Sequence, residues 1–597
     1  MSATLRSRSA TGSQGEEEKT VMNSCMYVGR VGGLAFALGI GAAVLGGTAV
    51  AWADDDGPEA RATASSSQPS AAAGPRARDS VKTTALREAK RASSPAPAAV
   101  KPAAAARPGA TVRSAPRASA AVADTDLSAP TATAAAAATL PQPLILGPSG
   151  VPIPSTDYVN RVMQYFVSPS YPGGTQLPQT VFTPEGLYPI TGVKSLPLDT
   201  SVDQGMTILS QTLALVEPDT PATVFGYSQS AIIGSLLQAG YVPPRSPYPP
   251  PEIPDTLQDS IEFIFVGNEM NPNGGFLSRF PDLQLPSLGL NFYGPTPEDA
   301  YPTTNYAREY DGFADFPRYP LNFLSVLNAG LGIVYVHPKY TPGPNCRTFC
   351  LTEEEVVAAR LTPLPTTSPD QNYYFIPTEN LPLLQPLRLL PLIGNPLADL
   401  IQPVLKVIVD LGYADPAHGF ETAVQPMANV LTPFGLFPEV SPLEVLGDLV
   451  AGVGQGITDF IAAFGPQGSI VRELSAITLP PLPSFTLPGP GGVIPAVQQV
   501  ITSVADGISA SLASLYAALL PTADIVNAIA VALPAYNAAL ALEGVQQILT
   551  GDIIGGLITA IALPIAADVG LVTTATLVGA LVWAQAVAGI FGLTIGA

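Results

Sequence analysis

Apolar residues along this chain gather into short β-prone runs, and most are followed by a loop of small residues and then a stretch with helical spacing. That rhythm predicts parallel strands joined by crossover helices. Leu144-Ile145-Leu146 reads as the first strand, Gly147-Pro148-Ser149-Gly150 as its loop, and Thr156 to about Phe166 as a helix. Val202 to Val216 reads as a helix ahead of a strand at Thr223-Val224-Phe225, and a further helix runs to about Gly240. After the proline-rich loop Pro243 to Pro254, a strand over Ile261 to Gly267 opens into Asn268 to Phe276, an Asn- and Gly-rich stretch suited to the rim of a site. Another strand, near Thr303 to Tyr310, opens into Asp311-Gly312-Phe313-Ala314-Asp315-Phe316-Pro317. The pattern then predicts a helix from Pro320 to about Ala329 and a last short strand, Ile333 to Val336, ended by His337-Pro338.

Beyond this the pattern turns helical and more apolar. Leu387, Leu390, Ile393, Leu397, Leu400 and Ile401 recur near helical spacing within Leu381 to Gly412, which suits either a lid over an apolar site or a helix that only packs. Helices are expected at Pro442 to Phe464, Ala496 to Leu520 and Ile525 to Leu542. Val569 to Ala597 carries no charge in 29 residues, enough to span a bilayer, lie along a lipid surface or form a buried hairpin.

Composition divides the 597 residues further. Residues 1–53 hold a basic region (Arg6, Arg8, Lys19, Arg30), an apolar stretch from Val31 to Val50 and Ala51-Trp52-Ala53 before three aspartates. That arrangement describes a secretory signal peptide, with an uncleaved anchor as the alternative. Residues 54–140 are Ala, Pro, Ser, Thr and Arg with few large apolar side chains, a composition expected to remain a disordered linker. Residues 141–415 then form an α/β domain and 416–597 an apolar helical region. From 141 onward the chain carries 12 basic and 36 acidic residues. So acidic a body has no surface for a nucleic-acid backbone.

Export makes the cysteines informative. Cys346 and Cys350 lie just past Pro342, Gly343 and Pro344, where a turn allows them to close a disulfide; two free thiols are the other reading. Three cysteines and two histidines at unrelated spacing do not describe a zinc site, and no cofactor is expected.

Candidate chemistry centres on Gly226-Tyr227-Ser228-Gln229-Ser230, between the strand at Thr223 and the next helix. Strand, sharp turn and helix are the setting of a nucleophile elbow, which lifts a serine above the sheet and points the next backbone N–H toward a developing oxyanion. Gln229 supplies that N–H, and the Gly147–Gly150 loop is placed to supply a second donor, from Ser149. Ser228, Asp311 and His337 follow in the order nucleophile, acid, base, each just past an expected strand. Asp315 is the alternative acid or a helix cap, and His418, the second histidine, is expected to be a solvated or capping residue.

These motifs carry a resemblance. Gly226–Ser230, Tyr310–Pro317, Val336-His337 and Asn380-Leu381-Pro382-Leu383-Leu384-Gln385-Pro386-Leu387-Arg388 together resemble the PE-PPE domain family of mycobacterial serine hydrolases, over about 140 to 415. The Gly-Tyr-Ser-Gln string is also similar to cutinases. The resemblance implies an α/β-hydrolase fold and esterase, lipase or acyltransferase activity on acyl esters of the cell envelope. It assigns Ser228, Asp311 and His337 as the triad and the Gln229 N–H to the oxyanion hole. Two departures stand out: a signal peptide and linker replace the small helical export domain, and Ser230 occupies a position where many hydrolases have glycine.

The function expected is an exported serine esterase or acyltransferase working through an acyl-enzyme, at a membrane or envelope surface. Water or a sugar or glycolipid hydroxyl would receive the acyl group. The alternative is a non-catalytic envelope protein that keeps the hydrolase scaffold for interaction.

Overall fold

The computed structural model describes residues 139–422, 426–476 and 493–590. The expected signal peptide and nearly all of the expected linker lie outside the described residues.

Six strands form one parallel sheet: β1 (Gln142–Ile145), β2 (Gln179–Thr180), β3 (Ala222–Tyr227), β4 (Ile261–Val266), β5 (Thr303–Arg308) and β6 (Gln371–Ile376). Their order is β2-β1-β3-β4-β5-β6, every neighbouring pair parallel. Both faces are covered, so the central strands β3 and β4 are mostly apolar and their side chains sort by alternation. Leu144, Val224, Phe263 and Phe265 enter one core, with helices α2 (Leu198–Leu213) and α3 (Gln229–Gln238). Ile145, Phe225, Tyr227, Ile264 and Val266 enter the other, beneath α1 (Thr156–Val162) and α5 (Glu353–Arg360). The chain winds outward from β1 to β2, then returns to the other side of β1 at β3. Loops after β1 and β3 diverge at this reversal, and open α/β sheets form their ligand crevice there.

Two expectations change here. Ile333 to Val336 is not a strand: the helix begun after Pro320 continues as α4 (Phe323–Tyr335), so His337 follows a helix. A short apolar run fits either state, and burial of Ala329, Gly330 and Leu331 along one helix decides it. The sheet closes instead with β6, which pairs along its whole length with β5.

The C-terminal helices pack onto the body. Leu381 to Gly412 contains α6 (Gly394–Asp410), which lies along α7 (Pro442–Ala462). Beyond come α8 (Val493–Asn527), α9 (Leu533–Leu549) and α10 (Leu563–Ile590). Leu533, Ala566, Ala567 and Leu571 belong to the same buried cluster as Phe263 and Phe265, so this region extends the core of the parallel sheet. α10, whose one charged residue is Asp568, is not a free span for its full length, because it packs against α4 and α8. Gly330 on α4 permits the approach, since a Cβ there would run into Leu577. Three stretches, Pro442–Ala462, Ile501–Leu549 and Ile553–Ile590, are nonetheless long and apolar enough to cross a membrane.

Candidate active site

The turn from β3 into α3 places Ser228. Its backbone adopts φ 58°, ψ −125°, a conformation costly for a residue with a side chain, held because β3 and α3 fix both flanks. Gly226 is required beneath it, since a Cβ there would press into the Ser230 carbonyl and the Ala231 nitrogen. Ser230 adds a clasp rather than unwanted bulk: its Oγ accepts from Tyr227 N at 2.8 Å and donates to Tyr227 O at 3.1 Å.

From this elbow a series of hydrogen bonds runs through three buried side chains. Ser228 Oγ lies 2.8 Å from His337 Nε2, and His337 Nδ1 lies 2.8 and 2.9 Å from Asp311 Oδ1 and Oδ2. Asp311, just past β5, is fully buried and is held by the backbone N–H groups of Phe313 (3.0 Å) and Ala314 (3.4 Å) and by the Tyr340 hydroxyl (2.8 Å). The imidazole is fixed on further sides. Tyr227 OH donates to the His337 carbonyl, the Phe313 ring meets the imidazole edge-on at 4.8 Å, and Gly267 leaves only 3.0 Å between a would-be Cβ and His337 Cε1. Burial alone would depress the His337 pKa, but the Asp311 carboxylate, seconded by Glu269, raises it above its ordinary value.

Glu269 is the residue sequence reasoning missed. It follows β4 in the expected rim and its Oε1 accepts from Ser228 Oγ at 2.9 Å. It is only 4% exposed, and its Oε2 is buried without a hydrogen-bond partner. Burial pushes its pKa up to about 7, against the lowering pull of His337. Glu185, 1% exposed, also has an unpartnered Oε2, and burial pushes its pKa up to about 8. A titratable residue just beyond the carboxyl end of a central strand was the available signal for Glu269.

The other expected residues are placed as follows. Gln229 opens α3, so its backbone N–H has no partner within the helix. The Ser149 hydroxyl is not left for a substrate: it donates to Gln229 Oε1 at 3.0 Å, tying the β1 loop to the elbow. Asp315 stands apart from His337. Its Oδ2 accepts from Tyr310 N at 2.8 Å and lies 3.0 Å from Nε2 of His418. His418 is neither solvated nor itself the cap; it is 5% exposed, and Asp415 both caps its backbone N–H and lies 2.9 Å from its Nδ1. With a carboxylate on each ring nitrogen, His418 is held well above its ordinary pKa despite burial. Cys346 and Cys350 are joined, with sulfurs 2.04 Å apart.

An apolar cavity lies beside the site. It is bounded by Leu187 to Ile190, Phe276 and Phe313 on one side and by residues of α4, α8, α9 and α10 on the other. Leu381 to Gly412 contributes none of its lining; those residues pack against Tyr310 and against α7 instead.

Comparison with known proteins agrees with this picture. Residues 174–414 match the PE-PPE domain. The chain is 40% identical over 326 residues to Esterase PE16 of Mycobacterium tuberculosis, covering 53% of this chain and 55% of that protein. It is 37% identical over 381 residues to PE family protein PE3 of the same organism, covering 62% and 73%. It is 26% identical over 332 residues to Diacyltrehalose acyltransferase Chp2, also of that organism, covering 51% and 81%. The chain spans between about half and two thirds of the length of several curated relatives it matches.

Proposed function

Because the chain belongs to the PE-PPE domain family, with esterases and acyltransferases among its relatives, we propose that it is a serine esterase or acyltransferase whose nucleophile is Ser228. The observation that carries this reading is the unbroken hydrogen-bond series Ser228–His337–Asp311, set on a strained elbow where the strand order reverses.

In the first half-reaction His337 Nε2 takes the Ser228 proton as Oγ attacks the ester carbonyl. The imidazolium so formed is stabilised by Asp311 and then gives its proton to the departing alcohol. Negative charge on the tetrahedral oxygen is met by the Gln229 backbone N–H and by the Ser149 backbone N–H, which the Ser149–Gln229 side-chain bond draws to the elbow. In the second half-reaction His337 deprotonates water or an acceptor hydroxyl, which cleaves the acyl-enzyme and restores Ser228.

Glu269 sets which protonation state is competent. A proton shared between Glu269 and His337 has two placements. With it on Glu269, the carboxylic acid donates to Ser228 Oγ and the serine hydroxyl donates to a neutral imidazole. With it on His337, the imidazolium donates to Oγ and the serine proton points to the Glu269 carboxylate, leaving no neutral imidazole to take it and pass it to the departing alcohol. The first placement is the reactive one.

Substrates are acyl esters or lipids, and a sugar or glycolipid hydroxyl is the acceptor wherever transfer outruns hydrolysis. An envelope location fits α7, which exposes Leu443, Leu446, Val450, Val453, Ile457 and Ile461 as an apolar stripe. The reading of a non-catalytic scaffold is disfavoured by a strained elbow and by buried titratable groups that cost stability. The test is hydrolysis of p-nitrophenyl butyrate with and without a trehalose glycolipid. Acyl product on the glycolipid, absent with Ser228→Ala, is expected of a transferase; free acid unchanged by the acceptor leaves an esterase; no turnover of either kind overturns the reading.

A further inference from the structure

Resting on the reading of Ser228 as an acyl-accepting nucleophile, we propose that the C-terminal helices α8, α9 and α10 form part of the substrate site, closing a subsite for a long saturated acyl chain. Their contribution lies beyond residue 414, where the family match ends.

The chemistry of the cavity wall identifies the ligand. Leucine, isoleucine, valine, alanine and phenylalanine side chains make up nearly all of it. Two hydroxyls reach it, and both are already used: Tyr188 donates to Asp524 Oδ2 at 2.6 Å and Thr574 donates to the Gly570 carbonyl at 2.9 Å. Water or a sugar placed there would lose hydrogen bonds without replacement, at a cost of about 1–3 kcal/mol per polar group. A hydrocarbon chain loses none and gains about 0.8 kcal/mol for each CH2 removed from water.

Position ties the cavity to the chemistry. Phe313 lines it and meets the His337 ring at 4.8 Å, while its own N–H is bonded to Asp311 Oδ1. Phe313 thus touches both the cavity and the imidazole, and an acyl group esterified to Ser228 would run past it and under the helices. The cavity holds about 150 Å³ of free space. An apolar cavity of that order stays dry and accepts a hydrocarbon. Thr574 and Ala575 are small residues on an otherwise Leu- and Val-rich face of α10, and they leave this room.

The test compares kcat/KM for p-nitrophenyl butyrate and p-nitrophenyl palmitate in the full chain and in two separate variants that fill the cavity, Ala575→Phe and Ile529→Trp, each checked for unchanged far-UV circular dichroism. Wild type is expected to favour palmitate. Each filling variant is expected to lose at least about tenfold on palmitate while staying within about twofold on butyrate. A folded variant in which both esters change equally, or neither changes, overturns the acyl subsite. Absence of butyrate turnover in wild type would instead overturn the role of Ser228, so the two failures are distinguishable.

Discussion

The Ser228 hydroxyl oxygen lies 2.9 Å from Oε1 of Glu269, a buried carboxyl separate from the Asp311–His337 pair. A hydroxyl has one proton to donate, so Glu269 and His337 compete for it unless Glu269 is itself protonated.

The pH profile follows from that competition. Glu269 must keep its proton, so activity falls as pH rises through its value of about 7. His337 must be neutral, so activity also falls as pH drops through its raised pKa. A narrow bell is expected in kcat/KM, with the alkaline limb falling about tenfold per pH unit. Glu269→Gln keeps a donor on Ser228 at every pH and should abolish the alkaline limb while retaining activity near neutrality. Glu269→Ala should lose about 10- to 100-fold throughout. An alkaline limb that persists in Glu269→Gln would remove Glu269 from the account.

The second histidine gives a prediction of a different kind. His418 sits buried between Asp315 and Asp415, and His418→Ala leaves both carboxylates without the imidazole bonded to each, with Arg279 as a remaining cation acting on them. About 3–5 kcal/mol of stability should be lost, read by urea denaturation at pH 7. His418 has a folded pKa above its unfolded one, so its contribution is complete below about pH 6.5 and is lost as pH rises through the folded value. Activity per folded molecule should be unchanged, because His418 does not touch Ser228, His337 or Asp311. A loss below about 1 kcal/mol would contradict the charged assignment.

How much of this was legible in the sequence depends on the range of the interactions involved. The elbow was, because a β-prone run, a glycine, a serine and a helical stretch are all local, and the same holds for Asp311 just past β5. Its distinction from Asp315 was not, since only the fold shows that His418 claims Asp315. Ile333 to Val336 misled because four apolar residues fit a strand or a helix equally, and the position of His337 survived since only the chain order mattered. Glu269 gave no motif, and its meaning comes from 41 residues of separation from Ser228 being closed by parallel pairing of β3 and β4. The C-terminal helices read as apolar, but that they wall a cavity beside the site, where Leu381 to Gly412 does not, depends on packing between segments over 200 residues apart.

The most direct test of the central claim is covalent labelling of the full chain by a fluorophosphonate, followed on a gel and mapped by mass spectrometry. The expected result is a single adduct on Ser228 in wild type, none with Ser228→Ala, and labelling slowed at least about a hundredfold with His337→Ala. Labelling that survives in Ser228→Ala, or that is absent from folded wild type, would contradict it.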